Sequence, residues 1–239
     1  MHADAGALSY DDGPGFYTPL ILAGLRSRGD TKASFMVVGS RALEFPNTLA
    51  SMYAAGHMIG AHTWSHRPLT TLTNGQIVAE LVYTSLAIQQ AIGVTPLFFR
   101  PPYGDIDDRV RAIIHACGLK VILWNRDTAD TSAAANATVA AQAWVAPAAP
   151  RIGSIVLQHD LFNYSYPQIL PVVDLVRAAG IVPKRIDVCL NLDPASSYST
   201  KSILQLASTT GAPGRSAALS AAPRLLALLV SLVLLVCQM

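Results

Sequence analysis

Residues 7–29 read ALSYDDGPGFYTPLILAGLRSRG. A short apolar run, Ala7–Tyr10, ends in two adjacent carboxylates, Asp11 and Asp12, and then in Gly13 and Pro14, which force a turn. A stretch of helical period, Tyr17–Arg28, follows and stops at Gly29. Strand, polar turn and helix thus follow one another within one unit.

The unit recurs along the chain. Further apolar runs stand at Ala33–Val38, Met58–Ala61, Leu97–Phe99, Leu119–Trp124 and Ser154–Gln158, with a shorter one at Ile186–Leu190. They are continuous rather than alternating, which suits strands covered on both faces. Between them lie the helix-like segments Pro46–Ala55, Thr73–Ile92, Asp107–Cys117 and Tyr166–Ala179. Each is followed by a glycine, and Thr73 is placed to cap its helix. This alternation predicts an α/β fold with a mainly parallel sheet. Six or seven units in about 190 residues suit a small or incomplete barrel, with an open sheet as the alternative.

Residues 1–193 are expected to form the globular domain. Residues 194–224, rich in Ser, Ala, Gly and Pro, read as an unstructured linker, and residues 225–239 as a short apolar tail. Its run Leu225–Val236 is shorter than the ~20 residues a spanning helix needs. Small residues, a spacer and an apolar tail match a GPI-attachment signal, with cleavage expected between Ser208 and Ala212; a retained short anchor is the rival reading. Met1–Gly6 carries no visible secretory signal, so the start is expected to be truncated. The sequons Asn136-Ala137-Thr138 and Asn163-Tyr164-Ser165 agree with an extracellular protein.

The net charge of +2, with no Lys/Arg cluster, argues against a nucleic-acid partner. Cys117, Cys189 and Cys237 form no CxxC motif; a Cys117–Cys189 bridge and buried thiols both remain open.

Four polar clusters sit at the ends of apolar runs, where α/β folds build their sites. The first is Asp11-Asp12-Gly13-Pro14. The second, His62-Thr63-Trp64-Ser65-His66, spaces two imidazoles i,i+4, which puts them on one face if the segment is a helical turn. An Asp and two His make a ligand set that leaves positions open for water and substrate, as a catalytic zinc site requires. The third is Arg100-Pro101-Pro102-Tyr103-Gly104, a stiff loop whose arginine can grip a carboxylate bidentately. The fourth joins Asp127 and Asp130 to Leu157-Gln158-His159-Asp160; a carboxylate on the far ring nitrogen of His159 would raise its pKa and make it a general acid. Trp64, Tyr103 and Trp124 are candidates for stacking on sugars, Trp124 being the one best explained as core packing and Trp64 as structural support or rim contact.

Taken together in this order, the clusters resemble the polysaccharide deacetylase family (NodB homology, carbohydrate esterase family four), and within it the fungal-type chitin deacetylases. Residues 8–160 carry all five family motifs, with full matches at His62–His66 and Arg100–Gly104. The resemblance implies a distorted (β/α) barrel with fewer than eight full units. It also implies metal-dependent hydrolysis of N-acetyl groups from chitin or a related polymer at the cell wall or plasma membrane surface, by a monomer. It implies Asp11 as general base, and Asp12, His62 and His66 as ligands of a divalent metal, zinc or cobalt. Arg100 would orient Asp11, the Tyr103 backbone N–H would bind the oxyanion, and Leu157 would line the acetyl pocket. Asp130, with Asp127, would tune His159 as general acid. It further implies a disulfide partner for Cys189 upstream of the first motif. Two departures stand out: Thr131 where the family usually has Trp, and Ser9-Tyr10 for the usual Thr-Phe. The rival functions are an O-acetyl xylan esterase using the same residues, and a wall-polysaccharide-binding protein with impaired catalysis.

Overall fold

A computed structural model describes residues 5–132, 136–145 and 154–209. The first half of the domain runs β1 (Ala5–Asp11), α1 (Thr18–Ser27), β2 (Ser34–Val37), α2 (Gly39–Glu44), α3 (Pro46–Ala54), β3 (Met58–Ala61) and α4 (Asn74–Ile92). It continues with β4 (Thr95–Pro96), β5 (Phe98–Phe99), α5 (Asp108–Ala116), β6 (Lys120–Val121), β7 (Arg126–Asp127) and α6 (Ala137–Val145). The last part comprises β8 (Ser154–His159), α7 (Tyr166–Ala178), β9 (Val182–Lys184), α8 (Ile186–Cys189), β10 (Tyr198–Ser199) and α9 (Ile203–Thr209).

The main sheet is ordered β6-β5-β3-β2-β1-β8-β7, and all its pairings are parallel. Strand β9 pairs with Ala5–Ala7 of β1, below the stretch Ser9–Asp11 that pairs with β2. No pairing joins β6 to β7 among the described residues, so the curled sheet is an incomplete (β/α) barrel, as expected.

Period-two alternation sorts the strand residues between two layers. On one face Leu8, Tyr10, Phe35, Val37, Ile59 and Phe99 pack under the helices in the main core, together with Ile21, Leu49, Leu81 and Val110. Full burial of one such side chain contributes about 1.5–3 kcal/mol. On the other face Ala7, Met36, Met58 and Phe98 meet Ile186 and Cys189 inside the curl. There Gly60 lets the Met36 thioether cross, since a Cβ would fall 2.5 Å from its sulfur. Alternation also carries Ser9 and Asp11 onto this interior face, which decides where the site forms.

The expected helices are present. Thr73 caps α4 in a reciprocal pair with Gln76, and Gly93 ends it in the left-handed conformation. The sequence reading misses α2 and α6 and needs two corrections. Ile186–Leu190 is not a strand: Ile186 and Cys189, three apart, are buried on one face of α8, and the strand lies earlier, at Val182–Lys184. The linker does not begin at 194. Residues 194–209 fold onto the domain, where β10 pairs with β4, Tyr198 Oη accepts the Ile59 N–H at 2.8 Å, and Ile203 is buried. Ser208 and Thr209, expected near a cleavage site, close α9. Cys117 and Cys189 are buried in separate clusters and are not bridged to one another. The apolar tail and Cys237 lie outside the described residues. Among those residues, no helix is long and apolar enough to cross a membrane.

Candidate active site

The carboxyl ends of the parallel strands converge on a cleft of about 640 Å³. Asp11 closes β1, His62 follows β3, Arg100 follows β5, and His159 closes β8. Asp12 should face away from Asp11 by strand alternation. Its left-handed backbone, φ 80°, breaks the alternation and returns its carboxylate to the same cleft.

Asp12, His62 and His66 bring their ligand atoms within 4.8 Å of one another. Asp12 Oδ1 lies 3.1 Å from His66 Nε2 and 3.5 Å from His62 Nε2. Donors each ~2.0 Å from one tetrahedral ion stand about 3.3 Å apart, so these spacings suit a common cation. Asp12 Oδ1 is buried with no hydrogen-bond partner, an orphan that a cation would satisfy. His62 Nδ1 lies 2.7 Å from the Arg100 carbonyl oxygen; donating to it fixes the tautomer that leaves Nε2 for a metal. Burial alone would push the Asp12 carboxyl up, but the two imidazoles and the nearby His159 together hold it well below the usual carboxylate range.

The two imidazoles do not share a helical turn. Residues 62–66 form a loop with left-handed backbone at Thr63 and His66. The i,i+4 spacing was sufficient to find the pair, but the loop is what makes it converge.

Asp11 sits beside this cluster, with Oδ2 3.6 Å from His62 Nε2. Its Oδ1 accepts from Arg100 Nη1 at 2.7 Å, and the same nitrogen reaches Ser9 Oγ at 2.9 Å. The grip is one-pronged rather than bidentate, because Nη1 divides its bonding between Asp11 and Ser9 while Nε turns to the Ile122 carbonyl. Arg100 is fully buried, and Asp11 supplies its counter-charge at 2.7 Å.

His159 faces the cleft opposite. Its Nδ1 is 2.8 Å from Asp130 Oδ1, and its backbone N–H donates to Asp130 Oδ2 at 2.9 Å. Burial disfavours the charged imidazole, but the bond to Asp130 and the carboxylates of Asp11 and Asp12 push its pKa up to about 9. Asp127 plays no part in this pair: its Oδ1 turns back to the Ala129 N–H at 2.7 Å, though the residue lines the cleft.

Leu157 lies at the floor and Tyr103, 66% exposed, at the rim, its ring 4.8 Å from that of His66. Trp124 and Thr131 also line the cleft. Trp64 does not; its indole packs against the main core and Tyr83, because the loop turns it outward toward α4. The sequence reading misses Ser40, Arg41, Leu161 and Phe162 on the walls, since α2 starts directly after β2 with no motif to mark it. It also assigns no role to buried Asp160, whose carboxylate accepts from Gly13 N–H and Thr18 Oγ and whose pKa burial and the Asp12 charge push up to about 7. Both sequons have structural uses: Asn136 Oδ1 accepts the Val139 N–H, and buried Ser165 donates to the Asp130 carbonyl.

A family model described as polysaccharide deacetylase matches residues 2–122. The chain belongs to the polysaccharide deacetylase family. Among curated relatives it is 40% identical, over 85% of this chain and 48% of the relative, to chitin deacetylase 1 of Cryptococcus neoformans var. grubii. It is 45% identical, over 56% of this chain and 32% of the relative, to the chitin deacetylase of Amylomyces rouxii. It thus spans less than half the length of these two relatives. Among solved structures, the chitin deacetylase of Colletotrichum lindemuthianum superposes with a TM-score of 0.75 at 26% identity, covering 84% of this chain and 93% of that one. A deacetylase solved with substrate, T48, gives 0.71 at 32% identity, over 82% and 94% of the two chains.

Proposed function

We propose that this polysaccharide deacetylase hydrolyses N-acetyl groups of chitin or a related N-acetylglucosamine polymer, giving free amines and acetate. One observation carries the reading: Asp12, His62 and His66 converge, with Asp11 and His159 flanking them in one cleft. The mixed N/O donor set suits zinc, with cobalt as a substitute. A divalent ion held there would polarise the amide carbonyl and acidify a water for attack.

The chain's own residues supply the proton traffic. Asp11, held in place by Arg100, takes a proton from the attacking water. His159, protonated and held by Asp130, gives one to the departing nitrogen; without it an amine anion would have to leave. The Tyr103 backbone N–H helps hold the oxyanion, a contribution of roughly 3 kcal/mol for such a donor. Leu157 receives the acetyl methyl. Tyr103 and the stacked pair Phe162–Tyr164, centroids 5.1 Å apart, offer sugar-binding faces beside the cleft. The polymer places the protein outside the cell, at the wall, with attachment through the C-terminal tail.

Chitin is favoured over xylan by the names of the relatives at 40% and 45% identity. Acetate release from chitin oligomers and from acetylated xylan, each with and without chelator, tests the reading. Chelator-sensitive release from the chitin oligomers is expected, and release from xylan alone would overturn it.

A further inference from the structure

Glu80, on α4, makes three hydrogen bonds to the loop between His62 and His66. Its Oε2 accepts the N–H groups of Trp64 at 2.7 Å and Ser65 at 2.8 Å, and its Oε1 accepts the Ser65 hydroxyl at 2.5 Å. The carbonyls of that loop point the other way: Thr63 O takes the Gly39 N–H at 2.9 Å and Trp64 O the Ser40 N–H at 3.3 Å. The loop backbone is therefore fixed from both sides, by α2 through its carbonyls and by Glu80 through its amides.

The two histidines differ in what else holds them. His62 is tied to the sheet through its N–H to Val37 O at 2.9 Å and its ring to Arg100 O. His66 sits at the far end of two left-handed turns, held by its N–H to Thr63 Oγ1 at 3.0 Å, and its side chain is 29% exposed. Removing Glu80 would leave two amides unpaired just before His66 and free the loop to relax. The packing permits no slack: a Cβ at Gly39 would meet Thr84 and Trp64 at 2.7 Å.

We infer that Glu80 is a positioning residue for the metal site, acting through the backbone of residues 64–65 to set His66. The inference rests on the Asp12-His62-His66 reading. A gain in metal affinity of about tenfold or more is expected from such a partner, within the range for groups that orient ligands from outside the coordination sphere.

Calorimetric titration of metal-free full chain with cobalt(II) tests it, alongside thermal melts of the same metal-free proteins. Glu80→Ala should weaken cobalt binding tenfold or more. Glu80→Gln, whose amide oxygen can still take both N–H groups, should stay within threefold of wild type. Glu80→Asp, one methylene short, should lose about as much as Ala and serves as the test if Glu80→Ala does not fold. An Ala or Asp variant that melts lower yet binds cobalt as tightly as wild type would reduce Glu80 to a fold-holding role and overturn the inference. His62→Ala separates the two levels: if it too binds cobalt like wild type, the metal-site reading fails.

Discussion

Asp11 and His159 are register partners in the adjacent parallel strands β1 and β8. Their side chains emerge from the same face at the same height, so the proposed base and acid share one rung of the sheet. Their partners differ: Arg100 donates to the Asp11 carboxylate, while Asp130 favours the imidazolium of His159.

On the proposed mechanism, the Asp130 contact should set the alkaline limit of activity. A histidine raised to about 9 is protonated below that pH and loses its proton, and its stabilising contribution, as pH rises through it. A cation beside Asp12 adds positive charge, so the limb in the loaded protein should lie below pH 9. Asp130→Asn removes a raising influence and leaves burial to act. The alkaline limb of kcat should move down by about one unit or more, with a loss of kcat of about 10²–10⁴. An unmoved limb would remove Asp130 from the acid.

Arg100→Met should destabilise the fold by about 3–5 kcal/mol, because it strands the Asp11 carboxylate without its buried counter-charge. Urea unfolding at pH 7 measures this. The deficit should shrink when Asp11→Asn is added, since the neutral amide no longer needs the arginine.

Gly13→Ala should cost about 1–3 kcal/mol by overpacking. An added Cβ would lie 2.2 Å from Asp160 Oδ2, so Gly13 is required by contact with that carboxylate. Denaturant melts of Gly13→Ala with and without Asp160→Gly would show the coupling: the second change should make the first one cheaper.

Much of this site was legible because its chemistry sits beside the pattern that makes the strands. Asp11, Arg100 and His159 each end an apolar run or follow one directly, so the fold and the cluster were read from the same residues. What was not legible depends on backbone detail or on long-range packing. The left-handed turn at Asp12 and the loop at 62–66 leave no periodic trace. Asp127 and Asp130 look equivalent in sequence, and only the structure shows that one bonds to Ala129 and the other to His159. Trp64 has the composition of a sugar contact but faces α4. Residues 194–199 read as a linker, yet the buried carboxylate of Asp187 accepts the Ser197 hydroxyl at 2.7 Å and ties the segment down.

Zinc should raise the melting temperature of the metal-free chain, since a ligand at a thousandfold its Kd stabilises by about 4.1 kcal/mol. His62→Ala should abolish the rise, and Asp127→Asn, outside the ligand cluster, should keep it. Differential scanning calorimetry with and without zinc distinguishes them.

The most direct measurement counts acetate and new amine released from an N-acetylglucosamine oligomer by the zinc-loaded chain and by its Asp11→Asn variant, with zinc content assayed in both. The account predicts equal acetate and amine from wild type, one zinc per chain in both proteins, and a rate at least ~10²-fold lower in the variant. Wild-type turnover by a zinc-bearing Asp11→Asn chain, or no acetate from the zinc-loaded wild type, would contradict it.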